Sequence, residues 1–348
     1  MRVLMTADAV GGVWTYALEL VEALRPHGVE VVVATMGPRP AHVPDGVDVR
    51  HGDYALEWMD DPWSDVDRAG DWLLALEDDV RPDVVHLNGF SHASLPWAAP
   101  ALVVAHSDVL SWWHAVRGEA APPQWAEYRR RVGQGLRAAR SVVAPTAAML
   151  DALHRGHEFD GGVVVPNGRS RRWAPPPTSK DALVLSAGRL WDEAKNVSAL
   201  ARVASRLSWP VVLAGDTGGQ HYAGVEQLGR LAFPELAAWL NRSPLFCLPA
   251  RYEPFGLGPL EAALCGCALV LGDIASLREV WGDAAVYVDP DDAHSLAAAV
   301  QSLIDDEARR RSLARAAAER AAAYAPDRLA AAYLDVYRAL PVGAGAPR

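Results

Sequence analysis

Two glutamates, Glu253 and Glu261, stand with seven residues between them in the segment Ala250-Arg-Tyr-Glu253-Pro-Phe-Gly256-Leu-Gly258-Pro-Leu-Glu261-Ala-Ala-Leu-Cys-Gly266. Two glycines and a proline lie between the carboxylates, and a short helix-like run follows. Pro259 suits a first helical position, where a missing N–H costs nothing. The loop before it then aims unpaired backbone N–H groups at whatever lies ahead of the helix, and such an end favours an anion. The segment reads as a phosphate seat, with Glu253 on its rim and Glu261 in the first turn. An ordinary loop before a core helix would also fit, because acidic residues favour a helix's first turn. The rest of the chain decides between these readings.

A second segment, Ser186-Ala-Gly188-Arg189-Leu-Trp-Asp-Glu-Ala-Lys195-Asn196, puts an arginine at the end of an apolar run and a lysine near the start of a helix. A planar guanidinium and a point-charge ammonium can grip a diphosphate from two sides. Near the N-terminus, Asp8-Ala-Val-Gly11-Gly12-Val-Trp-Thr follows the first apolar run. Adjacent glycines let a backbone approach a ligand at a helix start. Their spacing is not Gly-x-Gly-x-x-Gly, which disfavours a nicotinamide cofactor. His106 sits just past the apolar run Leu102–Ala105, and His86 ends the run before it. Position alone does not separate a structural from a functional histidine, and His86 ranks below His106.

Short Val- and Leu-rich runs alternate with helix-like stretches along the chain. The first series is Val3–Thr6, Val29–Ala34, Val84–Leu87, Leu102–Ala105 and Val142–Ala144. The second is Leu183–Ala187, Val211–Ala214, Leu245–Leu248, Ala268–Leu271 and Ala285–Val288. Continuous apolar runs of this length are the mark of buried parallel strands. Helices are expected at Thr15–Arg25, Trp125–Ala139, Val197–Leu207, Pro234–Leu240, Gly258–Leu264, Ala293–Ile304 and Glu307–Tyr324. Two such series predict an α/β protein of two doubly wound, Rossmann-like domains facing across a cleft. The domains are placed at 1–172 and 173–324, with Trp173-Ala-Pro-Pro-Pro as a stiff connector, followed by a terminal segment at 325–348 that ends in a mobile tail.

At 348 residues and 51% hydrophobic the chain can build both cores, and a formal charge of −10 argues against a nucleic-acid partner. Three cysteines make neither a disulfide framework nor a four-ligand zinc set. Asp60-Asp61, Asp78-Asp79 and Asp291-Asp292 lack metal-ligand spacing and read as loop or cap acids. Arg129–Arg131, near Trp112, Trp113 and Trp125, could touch a membrane surface, but a solvated helix face is favoured. With no leader pattern and no apolar run of membrane-spanning length, a soluble cytoplasmic protein is expected.

The glycine pair, His106, Arg189 with Lys195, and the paired glutamates together resemble the retaining glycosyltransferases of family 4, which have the GT-B fold. The resemblance spans almost the whole chain. It implies a sugar taken from a nucleotide-diphosphate donor with retention of anomeric configuration. It puts Gly11, Gly12, Arg189, Lys195, Phe255, Gly256 and Leu257 at the donor diphosphate. Gly229, Arg230 and Leu231 match the segment that meets the nucleobase, and Glu261 the residue at the ribose. His106 and Glu253 match the catalytic residues beside the donor sugar. The last helix, near Pro326–Leu340, would cross back to the N-terminal domain. One departure is plain: after Pro166-Asn167-Gly168 the family usually has Val-Asp, and here Arg169 and Ser170 follow. The fixed cations and the helix start could neutralise the leaving diphosphate without a divalent metal, so no cofactor is expected. The base, the sugar and the acceptor (a glycan, a lipid or a small natural product) stay open. So do a nucleotide-sugar epimerase or a phosphorylase of related fold, and a non-catalytic sugar-nucleotide-binding subunit.

Overall fold

A computed structural model describes residues 1–171 and 179–340. The proline run Pro175–Pro177 and the tail from Val342, read above as connector and mobile end, lie outside the described residues. The chain divides into two compact units. The first holds Met1–His114, Glu119–Gly168 and the chain from Pro326, and the second holds Ala115–Gly118 and Arg169–Ala325.

The first unit is built on a parallel sheet of β1 (Arg2–Asp8), β2 (Glu30–Met36), β3 (Asp48–His51), β4 (Val84–Leu87), β5 (Ala101–Val104), β6 (Ser141–Ala144) and β7 (Val163–Val164). Their order in the sheet is β3-β2-β1-β4-β5-β6-β7. The chain winds outward from β1 in one direction and then in the other. That reversal puts a topological switch point at the carboxyl ends of β1 and β4, where α/β sheets bind ligands. Helices α1 (Gly12–Leu24), α2 (Trp63–Val80), α3 (Val109–Arg117), α4 (Ala126–Ala138) and α5 (Ala147–Gly156) connect the strands. In α2 the buried residues Val66, Ala69, Leu73, Glu77 and Val80 recur at helical spacing, and the Glu77 carboxylate is used up by the N–H groups of Ala98 and Ala99.

The second unit repeats the plan with β8 (Val184–Ala187), β9 (Val211–Ala214), β10 (Glu226–Gly229), β11 (Leu245–Leu248), β12 (Ala268–Gly272) and β13 (Val286–Val288), all parallel, in the order β10-β9-β8-β11-β12-β13. Its helices are α6 (Val197–Val203), α7 (Phe233–Arg242), α8 (Leu257–Leu264), α9 (Ala275–Trp281), α10 (Ala293–Asp305) and α11 (Glu307–Ala321). Alternate strand residues feed two cores. Leu185, Val212, Phe246 and Leu269 pack on one face, and Val184, Val211, Leu245 and Val270 on the other. Each such side chain, fully buried, contributes about 1.5–3 kcal/mol. The switch point here lies at the ends of β8 and β11.

A last helix, α12 (Pro326–Ala339), groups with the first unit. Its buried face carries Leu329, Ala330, Tyr333, Leu334 and Tyr337. The Tyr337 hydroxyl reaches Nδ1 of His86 on β4 at 2.7 Å, and the Tyr333 ring packs against His86 and against Tyr16 of α1.

Several expectations need correction. The Val197–Leu207 helix is α-helical only to Val203, with a 3-10 turn over Ala204–Arg206. Helix α8 begins at Leu257, two residues before Pro259, because Gly256 takes a left-handed φ of 94° and starts the helix there. Glu261 is therefore past the first turn. The Arg129–Arg131 run lies on an exposed helix face at Arg129 and Arg130, and Arg131 is partly covered. Arg130 and Arg131 both pair with Glu127, and Arg131 also pairs with Asp67 and lies over the Trp63 ring. No described helix is long and apolar enough to cross a membrane.

Candidate active site

In the second unit, β8 ends at Ala187 and the chain turns through Gly188, whose φ is 148°. The turn is set by Gly215 at the end of the neighbouring β9. A Cβ built there would lie 1.8 Å from the Gly188 carbonyl oxygen, so only glycine lets the two strand ends approach. Arg189 comes next. Its Nη2 donates to Asp192 Oδ2 at 3.1 Å, and its guanidinium sits 5.6 Å from the Trp191 ring centre. Asp192 uses its other oxygen to accept from the Ala194 N–H, capping the 3-10 turn Glu193–Lys195. Asn196 closes that turn at a φ of 54°. Asparagine tolerates this region better than most side chains, and its amide donates to the carbonyls of Pro249 and Pro290.

The turn delivers Lys195, whose Nζ donates to Glu253 Oε2 at 2.6 Å with both side chains about 15% exposed. Glu253 comes from the loop after β11. Hydrogen bonds to the backbone tie that loop to its surroundings. The Arg251 N–H donates to the Ala194 carbonyl at 2.8 Å, and Ser276 Oγ donates to the Glu253 carbonyl at 2.5 Å. Past Glu253 the chain buries Phe255 and turns at Gly256 into α8, which has no side-chain cap. The first ladder bond of the helix is Leu260 N–H to the Gly256 carbonyl. Pro259 has no N–H, so Leu257 and Gly258 present the donor end of the helix. Arg189, Lys195, Glu253 and the head of α8 thus stem from the two strand ends at this unit's switch point.

Glu261 lies further along α8, where its Oε1 accepts from Arg169 Nε at 2.8 Å. Gly229 ends the edge strand β10 at a φ of 68°. Arg230 is 81% exposed and pairs with Asp216, whose carbonyl accepts from Leu190 N–H beside Arg189. Leu231 packs on the core next to α7.

The first unit has its own set of residues at a switch point. Asp8 closes β1 and accepts from the Val10 N–H, and Gly11, at a φ of 131°, opens α1 with no side-chain cap. Asn88 follows β4, and His106 follows β5. The Asn88 amide nitrogen donates to the Thr6 carbonyl at 2.6 Å, which turns Oδ1 toward His106 Nε2 at 2.8 Å. An amide oxygen only accepts, so Nε2 of His106 carries the proton and Nδ1 keeps its lone pair. Burial pushes the His106 pKa down to about 3, and the Tyr16 ring stands 4.5 Å from the imidazole. His86 is fully buried, with its pKa also down to about 3, first through burial and then through its neighbour His106. Its hydrogen bonds go to Tyr337, Asn88 and Tyr16, so it serves the fold.

Sequence reasoning did not find Asn88, Asp192 or Ser276 as supporting residues. Asn88 stands one place beyond a buried strand, whereas Asp192 and Ser276 lie in the turn and the helix that follow β8 and β12. The cysteines Cys247, Cys265 and Cys267 are buried and unpaired, with thiol pKa values raised by burial.

Comparison with known proteins adds an independent line. Residues 10–171 match the model described as Glycosyltransferase Family 4, and residues 181–306 match that of Glycosyl transferases group 1. The glycogen synthase of Mycobacterium tuberculosis is 29% identical across 92% of this chain and 90% of its own length. Among solved structures, sucrose-phosphate synthase from Thermosynechococcus elongatus superposes with a TM-score of 0.82 at 18% identity, covering 97% of this chain and 98% of that one. An Anabaena protein solved with UDP-glucose gives 0.77 at 17% identity, covering 98% and 100%. The two-unit parallel architecture is the GT-B fold.

Proposed function

We propose, for a chain that belongs to glycosyltransferase family 4 and acts on nucleotide sugars, that it moves a hexose from a nucleoside-diphosphate donor to an acceptor hydroxyl with retention and without a metal ion. The observation that carries this reading is the Lys195–Glu253 pair at 2.6 Å beside the uncapped start of α8. It holds a cation for a phosphate and a carboxylate for a sugar hydroxyl next to a ready anion seat.

Bond breaking puts negative charge on the leaving phosphate and positive charge on the anomeric carbon. Arg189, Lys195 and the N–H groups of Leu257 and Gly258 stabilise the first. When the diphosphate takes Lys195, Glu253 is released to accept from the sugar hydroxyls and to favour the cationic carbon electrostatically. The acceptor hydroxyl attacks on the face the phosphate leaves and gives its proton to the departing oxygen, so no covalent nucleophile is needed. In the first unit, neutral His106 offers Nδ1 to a sugar hydroxyl, and Gly11 and Gly12 offer N–H groups to an anion. Gly229 to Leu231 and Glu261 serve the nucleoside. The fixed cations take the place of a divalent ion.

Because the Anabaena neighbour was solved with UDP-glucose, that donor is the first to try. Calorimetry with UDP, GDP and ADP and their glucose forms tests the donor reading, and binding of none of them would end it. Product NMR tests the stereochemistry: a product with the donor's anomeric configuration supports the mechanism, and an inverted one contradicts it.

A further inference from the structure

Resting on the donor reading above, we propose that Arg169 is a positioning residue for the nucleoside: it sets the Glu261 carboxylate, so that the pair distinguishes ribose from deoxyribose. Arg169 stands where the family resemblance leads one to expect Val, directly after the turn Pro166-Asn167-Gly168. Contacts from both its backbone and its side chain hold it. Its backbone N–H donates to the Tyr324 carbonyl at 2.9 Å, its guanidinium lies 4.4 Å from the Phe233 ring centre, and its Nε donates to Glu261 Oε1 at 2.8 Å. Both side chains are only 9% exposed. A carboxylate this buried is costly without a cation, and with one its direction is fixed. A carboxylate has about four lone-pair sites. The Arg169 Nε occupies one, and a vicinal diol is a ligand whose two O–H donors suit such an acceptor. A guanidinium fork pressed on an aromatic ring is a better fixture for this than a lysine, whose ammonium rotates on a flexible stem.

The effect is one of specificity. A site built to hydrogen-bond a hydroxyl discriminates against the ligand lacking it, because the buried acceptor is then left unpaired. Arg169 touches no reacting atom in this scheme, so its loss should appear in donor affinity and KM and leave kcat nearly unchanged.

The test is calorimetric binding of UDP, GDP and ADP to the full chain, followed by the 2′-deoxy form of whichever binds. The parent should prefer the ribonucleotide at least about tenfold. Arg169→Lys keeps the charge and should lose most of that preference. Because a lone buried carboxylate can impair folding, the second variant is the double Arg169→Met with Glu261→Gln, which removes both charges and should bind ribo and deoxy forms alike. Full preference in either variant overturns the role of Arg169 while leaving the donor reading intact. A parent that binds none of the three nucleotides overturns both.

Discussion

At the scale of the residue, Lys195 and Glu253 depend on each other. In the proposed mechanism Lys195→Ala removes a phosphate contact, and it also removes the partner of a mostly buried carboxylate. We expect either Lys195→Ala or Arg189→Ala to cost about 2–4 kcal/mol of transition-state stabilisation, seen as a lower kcat/KM, with a lower melting temperature as well because each leaves a mostly buried carboxylate, Glu253 or Asp192, without that cation. Calorimetry with unchanged donor affinity in both variants would take the clamp out of the mechanism. His106 and His86 carry a pH signature. Each has a folded pKa near 3, against an ordinary value of about 6.5. The fold therefore favours the neutral imidazole, and this stabilisation is whole above about pH 6.5 and is lost as pH falls toward 3. Urea titrations should show stability falling between pH 7 and 5, by up to about 1.4 kcal/mol per pH unit for each histidine, with a shallower slope in His106→Gln. Equal slopes in parent and variant would contradict a neutral, buried His106.

At the scale of the element, the strand ends set the site. The Gly215 contact with Gly188 holds Arg189 at its place. Gly215→Ala should lower stability and nucleotide affinity together, by ~1–3 kcal/mol in stability, and near-parent behaviour would show that the turn is not constrained. Tyr337→Phe should cost about 1–3 kcal/mol by leaving His86 Nδ1 unpaired in the interior, checked by denaturant unfolding. The central strands were legible in the sequence because parallel strands buried on both faces read as unbroken apolar runs; Val84–Leu87, Val211–Ala214 and Leu245–Leu248 fall where their composition placed them. The edge strands Asp48–His51 and Glu226–Gly229 were not, since exposure on their outer sides lets them carry polar residues. Pro259 misled the start of α8 because the left-handed glycine before it was the stronger signal. The paired glutamates and Arg189…Lys195 could be read from spacing. Their partners could not, because Glu261 with Arg169 and Glu253 with Lys195 join residues 92 and 58 positions apart.

At the scale of the whole molecule, two parallel-sheet units each put polar and glycine residues at a switch point, and both match glycosyltransferase models. In the proposed mechanism fixed cations in the second unit take the place of a metal, so transfer should survive EDTA, and activity that disappears with chelation and returns with magnesium or manganese would refute metal independence. The central claim is that Glu253 acts on the donor's reacting sugar in a metal-free transferase. Its most direct test is nucleoside diphosphate release in EDTA from glucose and mannose forms of UDP, GDP and ADP, with a panel of sugar, polyol and glycolipid acceptors. The parent and Glu253→Gln are compared, with donor binding followed in parallel. The account predicts acceptor-dependent release by the parent and a rate at least roughly tenfold lower for Glu253→Gln at near-parent donor affinity. Turnover of Glu253→Gln at the parent rate, or donor binding by the parent with no acceptor-dependent release across the panel, would contradict it.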